Sequence, residues 1–168
     1  MPGPSVQMNE MRFPGDVEDR LSLSERYCAL QGSRLTDTRR QVLGMILSSP
    51  RPIGAYDLLD LLRSHHRNAA PPTVYRALEF LSDHGLIHKI ERLSAFVGCS
   101  HRLRCHHGKA CGHRAQFLIC RTCGIVKELE NDETESAVNL AARNVGFHVE
   151  HTTIEVEGIC AQCAEHVS

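Results

Sequence analysis

From Leu21 onward, apolar residues recur every three or four positions, a spacing that predicts helices. The first runs over Leu21–Gln31 and stops at Gly32. The second covers Asp37–Leu47, with Val42, Leu43, Ile46 and Leu47 on one face and Thr36 placed to cap it. The third, Ala55–Arg63, turns Leu58, Leu59 and Leu62 inward. Pro71 and Pro72 set the start of a fourth, TVYRALEFLSDHG, which ends at Gly85. Its Val74, Ala77, Leu78 and Leu81 fall at i, i+3, i+4 and i+7, so that stripe must be buried. The period then changes to two. LIHKIE alternates as a strand and SAFVGC is its return partner.

Helices followed by a hairpin is the order of a winged helix-turn-helix, whose last helix enters the major groove while the hairpin touches the DNA backbone. Beyond a loop at 100–113, rich in His, Cys, Gly and basic residues, the pattern reads strand (Ala115–Cys120), turn, strand (Ile125–Glu130), helix (about Glu133–Val145), strand (His148–Glu157) and a Cys-rich end. The expected class is α+β, an N-terminal winged helix-turn-helix domain followed by a small α/β domain. The expected boundaries are a flexible leader over 1–20, the winged-helix domain over 21–99, a hinge loop over 100–113 and the second domain over 114–168.

Charge sharpens this division. The net charge of −1 looks wrong for a nucleic-acid binder, but residues 20–93 carry eleven basic against seven acidic groups, while the flanking segments are acidic. A modestly basic module beside acidic ones suits phosphate contact. Aromatic residues make up 5% and Trp is absent, so two small cores helped by metal or dimerisation fit better than one generous core. No run of about 18 apolar residues predicts a membrane span. The first twenty residues lack the apolar stretch of a signal peptide. Eight Cys and eleven His without an export signal point to a reducing, cytoplasmic setting, where paired Cys serve as metal ligands or redox groups.

Cys120 and Cys123, then Cys160 and Cys163, form two CxxC turns separated by 36 residues. Each turn aims two sulfurs at one point, with Gly124 and Gly158 where knuckles need backbone freedom. Together they complete a tetrahedral S₄ shell suited to structural zinc, with no position left open for catalysis. A dithiol redox pair is the competing reading, but it needs a single CxxC at a helix start.

GAYDLLDLLR, PPTVYRALEFLSDHGLIHKIE, CxxCG and GICAQC together resemble the ferric uptake regulator (Fur) family, in particular its zinc uptake branch, from about Leu21 to Cys163. The resemblance implies a homodimer whose second domain is the dimerisation domain. It implies a zinc-responsive repressor of zinc uptake genes that binds double-stranded, pseudo-palindromic operators, with zinc as the corepressor that orders the dimer. It also implies a regulatory zinc held by His88, Cys99, His113 and Glu128, making two zinc ions per chain. The loop between Cys99 and His113 departs from the family by its length. Its Cys105, His106, His107 and Cys111 could hold a third ion or be spare soft residues.

For DNA, Arg76 lies off the buried stripe and can make a bidentate contact to guanine. Thr73 and Tyr75 suit phosphate contact, and Arg34, Arg39 and Arg40 could add more. The resemblance places Tyr56 near thymine methyls or bases. An iron- or peroxide-responsive member of the same family is the alternative, disfavoured by the thiolate among the hinge ligands. A zinc enzyme of deaminase type would need His148-Val-Glu150 to work with Cys160 and Cys163. Those cysteines already have a CxxC partner, so no enzyme activity is expected.

Overall fold

In the computed structural model, which describes residues 11–100, 116–129, 131–150 and 152–165, four helices and a small sheet form the first unit. The helices are α1 (Gly15–Leu30), α2 (Asp37–Ser48), α3 (Ala55–His65) and α4 (Pro71–Asp83). The winged sheet has the order β1-β3-β2, from β1 (Ile53–Gly54), β2 (Ile87–Ile90) and β3 (Ala95–Gly98), with a 3₁₀ turn over Glu91–Leu93 between the last two. The second unit is a sheet of order β5-β4-β6 with two helices. Its elements are β4 (Gln116–Cys120), β5 (Val126–Leu129), α5 (Asp132–Asn144), β6 (Ile154–Gly158) and α6 (Ala161–Glu165).

The helical stripes expected from the sequence do make the main core. Val42, Leu43, Leu58, Leu59, Leu62, Val74, Ala77, Leu78 and Leu81 are buried in one cluster with Leu21 and Cys28. Pro71 opens α4 and Gly85, at φ +63°, follows its end.

Three local features differ from expectation. Helix α1 begins at Gly15, inside the stretch expected to be leader, with Asp16 and Glu18 in its first turn. Its start is anchored by tertiary contact: the Phe13 ring fills the space over Gly44, where a Cβ would lie 2.3 Å from the ring. The Phe13 N–H donates to Glu18 at 3.2 Å. Thr36 precedes α2 in an extended conformation, but its side chain makes no capping bond; α5 does have such a cap, Asn131 accepting from Thr134 N–H at 2.8 Å. Strand β6 starts at Ile154 rather than His148, where its parallel ladder with β4 begins opposite Gln116.

The two sheets meet face to face. In the wing, His88 pairs with Val97 and Ile90 with Ala95, so His88, Ile90, Val97 and the following Cys99 share one face. The other face, with Ile87 and Phe96, packs on the helices. Ile90 is buried with Phe117 and Ile119 of β4, joined by Val97 and Val126. This second, smaller cluster is the joint between the units.

Leu81, fully buried where α4 packs inward, sets the orientation of that helix. Leu81→Ala should cost about 2–5 kcal/mol, read as a lower urea midpoint at unchanged slope. An unshifted midpoint would contradict the core described.

Candidate metal centres and nucleic-acid interface

The four cysteines of the two CxxC turns converge, their sulfurs all within 4.8 Å of one another. Cys120 ends β4, Cys123 closes the turn that follows, and Cys160 and Cys163 flank the start of α6. The Gly124 N–H donates to the Cys120 carbonyl at 2.8 Å, and its φ of +72° turns the chain so that the Ile125 carbonyl accepts the Cys120 N–H at 2.9 Å. Gly158 needs no such freedom; it is ordinary strand paired with Cys120. Cys123 and Cys160 sulfurs lie 3.8 Å apart, matching the roughly 3.8 Å edge of a tetrahedron with ~2.3 Å zinc–sulfur bonds. Backbone N–H groups, that of Cys160 first, hold the Cys120 thiol down to about 6. Hydrogen bonding to the sulfurs of Cys160 and Cys123 pushes Cys163 up to about 12. The charge of Cys120 also opposes a second one on Cys163, a repulsion that a divalent cation removes.

The second cluster is His88, Cys99 and Glu128, whose donor atoms also lie within 4.8 Å of one another. Cys99 is buried, its N–H bonded to Leu86 carbonyl at 3.0 Å, which extends the wing ladder by one residue. His88 Nε2 stands 3.4 Å from Glu128 Oε1. The other Glu128 oxygen accepts the Ser100 N–H at 2.9 Å, which fixes the carboxylate plane. The Phe117 ring meets the His88 imidazole edge-on, with centroids 5.5 Å apart. Sequence reasoning did not single out Ser100 or Phe117, although the alternation of β4 places Phe117 on the face toward the wing. Burial opposes a charged His88, but hydrogen bonds to Cys99 and Glu128 outweigh it and raise its pKa to about 9. Burial likewise works against the Glu128 carboxylate, yet His88 and the Ser100 N–H bring it down to about 2. One nitrogen, one sulfur and one oxygen converging from two domains form a donor set that zinc accepts.

His113, expected as the fourth ligand here, lies outside the described residues, as do Cys105, His106, His107 and Cys111. His148 is described and exposed.

The residues expected to read DNA are all exposed. Tyr56 is 70% and Tyr75 49% exposed, and Thr73 and Arg76 stand on the outer side of α4 opposite the buried stripe. Arg39 and Arg40 have other duties. Arg39 stacks over the Phe80 ring at 3.6 Å and donates to Arg34 carbonyl at 2.8 Å. Arg40 is held by Glu18 and, at 2.8 Å, by Glu25. Among the described residues, no helix is long and apolar enough to cross a membrane.

Comparison with known proteins agrees with this geometry. The model of the "Ferric uptake regulator family" matches residues 30–157. The chain is 39% identical over 149 residues to the zinc uptake regulation protein of Escherichia coli (strain K12), covering 89% of this chain and 84% of that one. It superposes with TM-score 0.82 on a zinc uptake regulator complexed with zinc and DNA, at 38% identity, covering 92% of this chain and 99% of the other. It also superposes on holo XcZur with TM-score 0.75 at 41% identity, covering 86% and 96%.

In the metal-free protein the His88–Glu128 pair sets a pH window. A raised histidine contributes stability that is whole below the ordinary value of 6.5 and is lost as pH climbs through about 9. A depressed carboxylate contributes above its ordinary 4.5 and loses that contribution as pH falls toward about 2. Proton NMR titration of the metal-free chain should find the His88 midpoint well above 6.5 and, in Glu128→Gln, shifted downward. Identical midpoints in the two would refute the contact.

Proposed function

The chain belongs to the ferric uptake regulator family, and from that premise we propose that it is a zinc-responsive repressor, not an enzyme, that binds pseudo-palindromic DNA in the cytoplasm as a homodimer and controls zinc uptake genes. The observation that carries this reading is the convergence of His88 and Cys99, from the wing, with Glu128, from the second sheet. Similarity to a zinc uptake regulator complexed with zinc and DNA supports it, and the Cys99 thiol favours zinc over iron or peroxide sensing within the family.

Domain roles follow. The winged unit through residue 99, which α1 extends back to Gly15, reads DNA, 100–113 connect, and 114–168 dimerise and carry the structural site of Cys120, Cys123, Cys160 and Cys163. Leu140, Val145 and Phe147 of the second unit are exposed in the single chain, an apolar surface that suits a second copy. His113 completes the regulatory set, giving two zinc ions per chain. Cys105, His106, His107 and Cys111 are the donors to which a third would fall.

Bound zinc supplies one charge centre shared by ligands of both domains. His88 and Cys99 then hold the wing, and with it α4, at one angle to the sheet that carries Glu128. Arg76 meets guanine edges, Thr73 and Tyr75 the phosphates, and Tyr56 the thymine side of the groove. Moving such an equilibrium from 1:99 to 99:1 takes about 5.5 kcal/mol of differential affinity. Linkage requires that DNA tighten zinc in return.

Gel-shift titration on a duplex selected by the zinc-loaded chain tests the reading: binding should require zinc, and metal-stripped protein that binds as tightly refutes it. Cys99→Ser should abolish the zinc response while leaving a folded dimer. Arg76→Ala should lose about 1–3 kcal/mol of sequence discrimination; equal preference before and after would remove Arg76 from base reading. Elemental analysis before and after mild chelation should find two ions per chain falling to one, and a count of three assigns the loop cysteines and histidines.

A further inference from the structure

The tip of a wing in this fold class touches DNA backbone, yet here it is occupied from inside the molecule. Glu155 of β6 accepts the backbone N–H of Glu91 at 2.7 Å with one carboxylate oxygen and that of Arg92 at 3.2 Å with the other. Two successive N–H groups converging on one anion is the arrangement a phosphate oxygen would otherwise exploit. The Arg92 guanidinium pairs with Glu157, two residues further along the same strand. Lys89 is held by Glu91 at 2.6 Å. Ser94, at φ +47°, is the one non-glycine residue with positive φ among the described residues, and it closes the turn that presents both N–H groups.

Strand register shows what this contact belongs to. Phe117 is paired with Glu128 on one side and with Glu155 on the other. The three side chains therefore form one row across the second sheet and point to one face. That row meets the wing in order along β2. Glu128 faces His88, Phe117 packs on Ile90, and Glu155 caps the turn that follows. The middle of the row is apolar. Its two carboxylates fix the ends.

We propose that Glu155, assisted by Glu157, is a positioning residue that latches the wing tip to the dimerisation sheet and so presets the zinc site for occupation, an inference that rests on the zinc-responsive reading above. The docked wing is the arrangement in which His88 and Cys99 stand beside Glu128. A ligand that binds only the docked form has its apparent affinity reduced by the undocked fraction. The Glu155 carboxylate raises the docked fraction before any metal arrives, at the far end of the row from the ligands. It also keeps the wing-tip N–H groups from phosphate, so the wing serves as a strut between domains, and DNA reading falls to α3 and α4.

The experiment compares the full-length wild-type chain with Glu155→Ala and Glu155→Gln. DNA binding is followed as zinc is raised with a chelator buffer, using a duplex selected in vitro by the zinc-loaded wild type. Hydrogen exchange at the Glu91 and Arg92 amides is measured in parallel. For Glu155→Ala, the zinc concentration at half-maximal binding should rise roughly five- to tenfold, with the same plateau at excess zinc and faster exchange at both amides. Glu155→Gln, which keeps one acceptor, should fall between. A midpoint for Glu155→Ala that coincides with wild type overturns the latch alone. A plateau that stays low at excess zinc assigns Glu155 to folding and overturns the positioning role. A wild-type chain without zinc dependence overturns the underlying reading, and amide exchange unchanged in Glu155→Ala overturns the contact itself.

Discussion

Among the described residues, the winged unit and the second unit meet through the face-to-face contact of two three-stranded sheets. Ile90, Phe117 and Ile119 are its buried middle. Burial of such side chains gives about 1.5–3 kcal/mol each, and part of that is spent on the lost freedom of two domains. The joint is thus strong enough to form and weak enough to be biased by a few kcal/mol of ligand binding, the size a two-state switch requires. A larger apolar joint would hold the head at one angle regardless of metal. Polar side chains at the joint's edges decide the angle because apolar contact has no direction.

The four-cysteine centre supports that joint from behind. Cys120 closes the strand that carries Phe117 and Ile119, and its neighbour across the ladder, Gly158, closes the strand that carries Glu155. Parallel pairing between β4 and β6 has no short turn to enforce it. Sulfurs from both strand ends meeting at one point supply the missing closure, and they fix the register that aligns Glu128, Phe117 and Glu155.

What was legible in the sequence was local. The Val74–Ala77–Leu78–Leu81 stripe carries its own period and its own punctuation, Pro71 before and Gly85 after, so α4 could be drawn without the structure. Alternation in LIHKIE and FVGC already put His88 and Cys99 on the two strands of one hairpin, but the face they share follows from the His88–Val97 register. Paired CxxC spacing gave the sulfur cluster outright. What was hidden was set by partners distant in sequence. The first turn of α1 holds a single buried apolar residue, Val17, and depends on Phe13 seating over Gly44. Arg39 and Arg40 looked like a solvated basic face until Phe80, Glu18 and Glu25 claimed them. Strand β1 is two residues long, too short for any period. Glu128 could be paired with His88 only through family resemblance, because nothing in the alternation of β5 says which strand of another domain it will face.

The division of the two apolar clusters along the chain has a consequence for how the molecule is made. Every described residue of the larger cluster lies between Met11 and Phe96, whereas the sheet behind the joint needs Ile154–Gly158 to complete its ladder. During synthesis from the N-terminus the helical unit can close while the C-terminal strand is still inside the ribosome. A nascent chain can therefore close its helical core before it owns Glu128 and Glu155, the two carboxylates that face the wing.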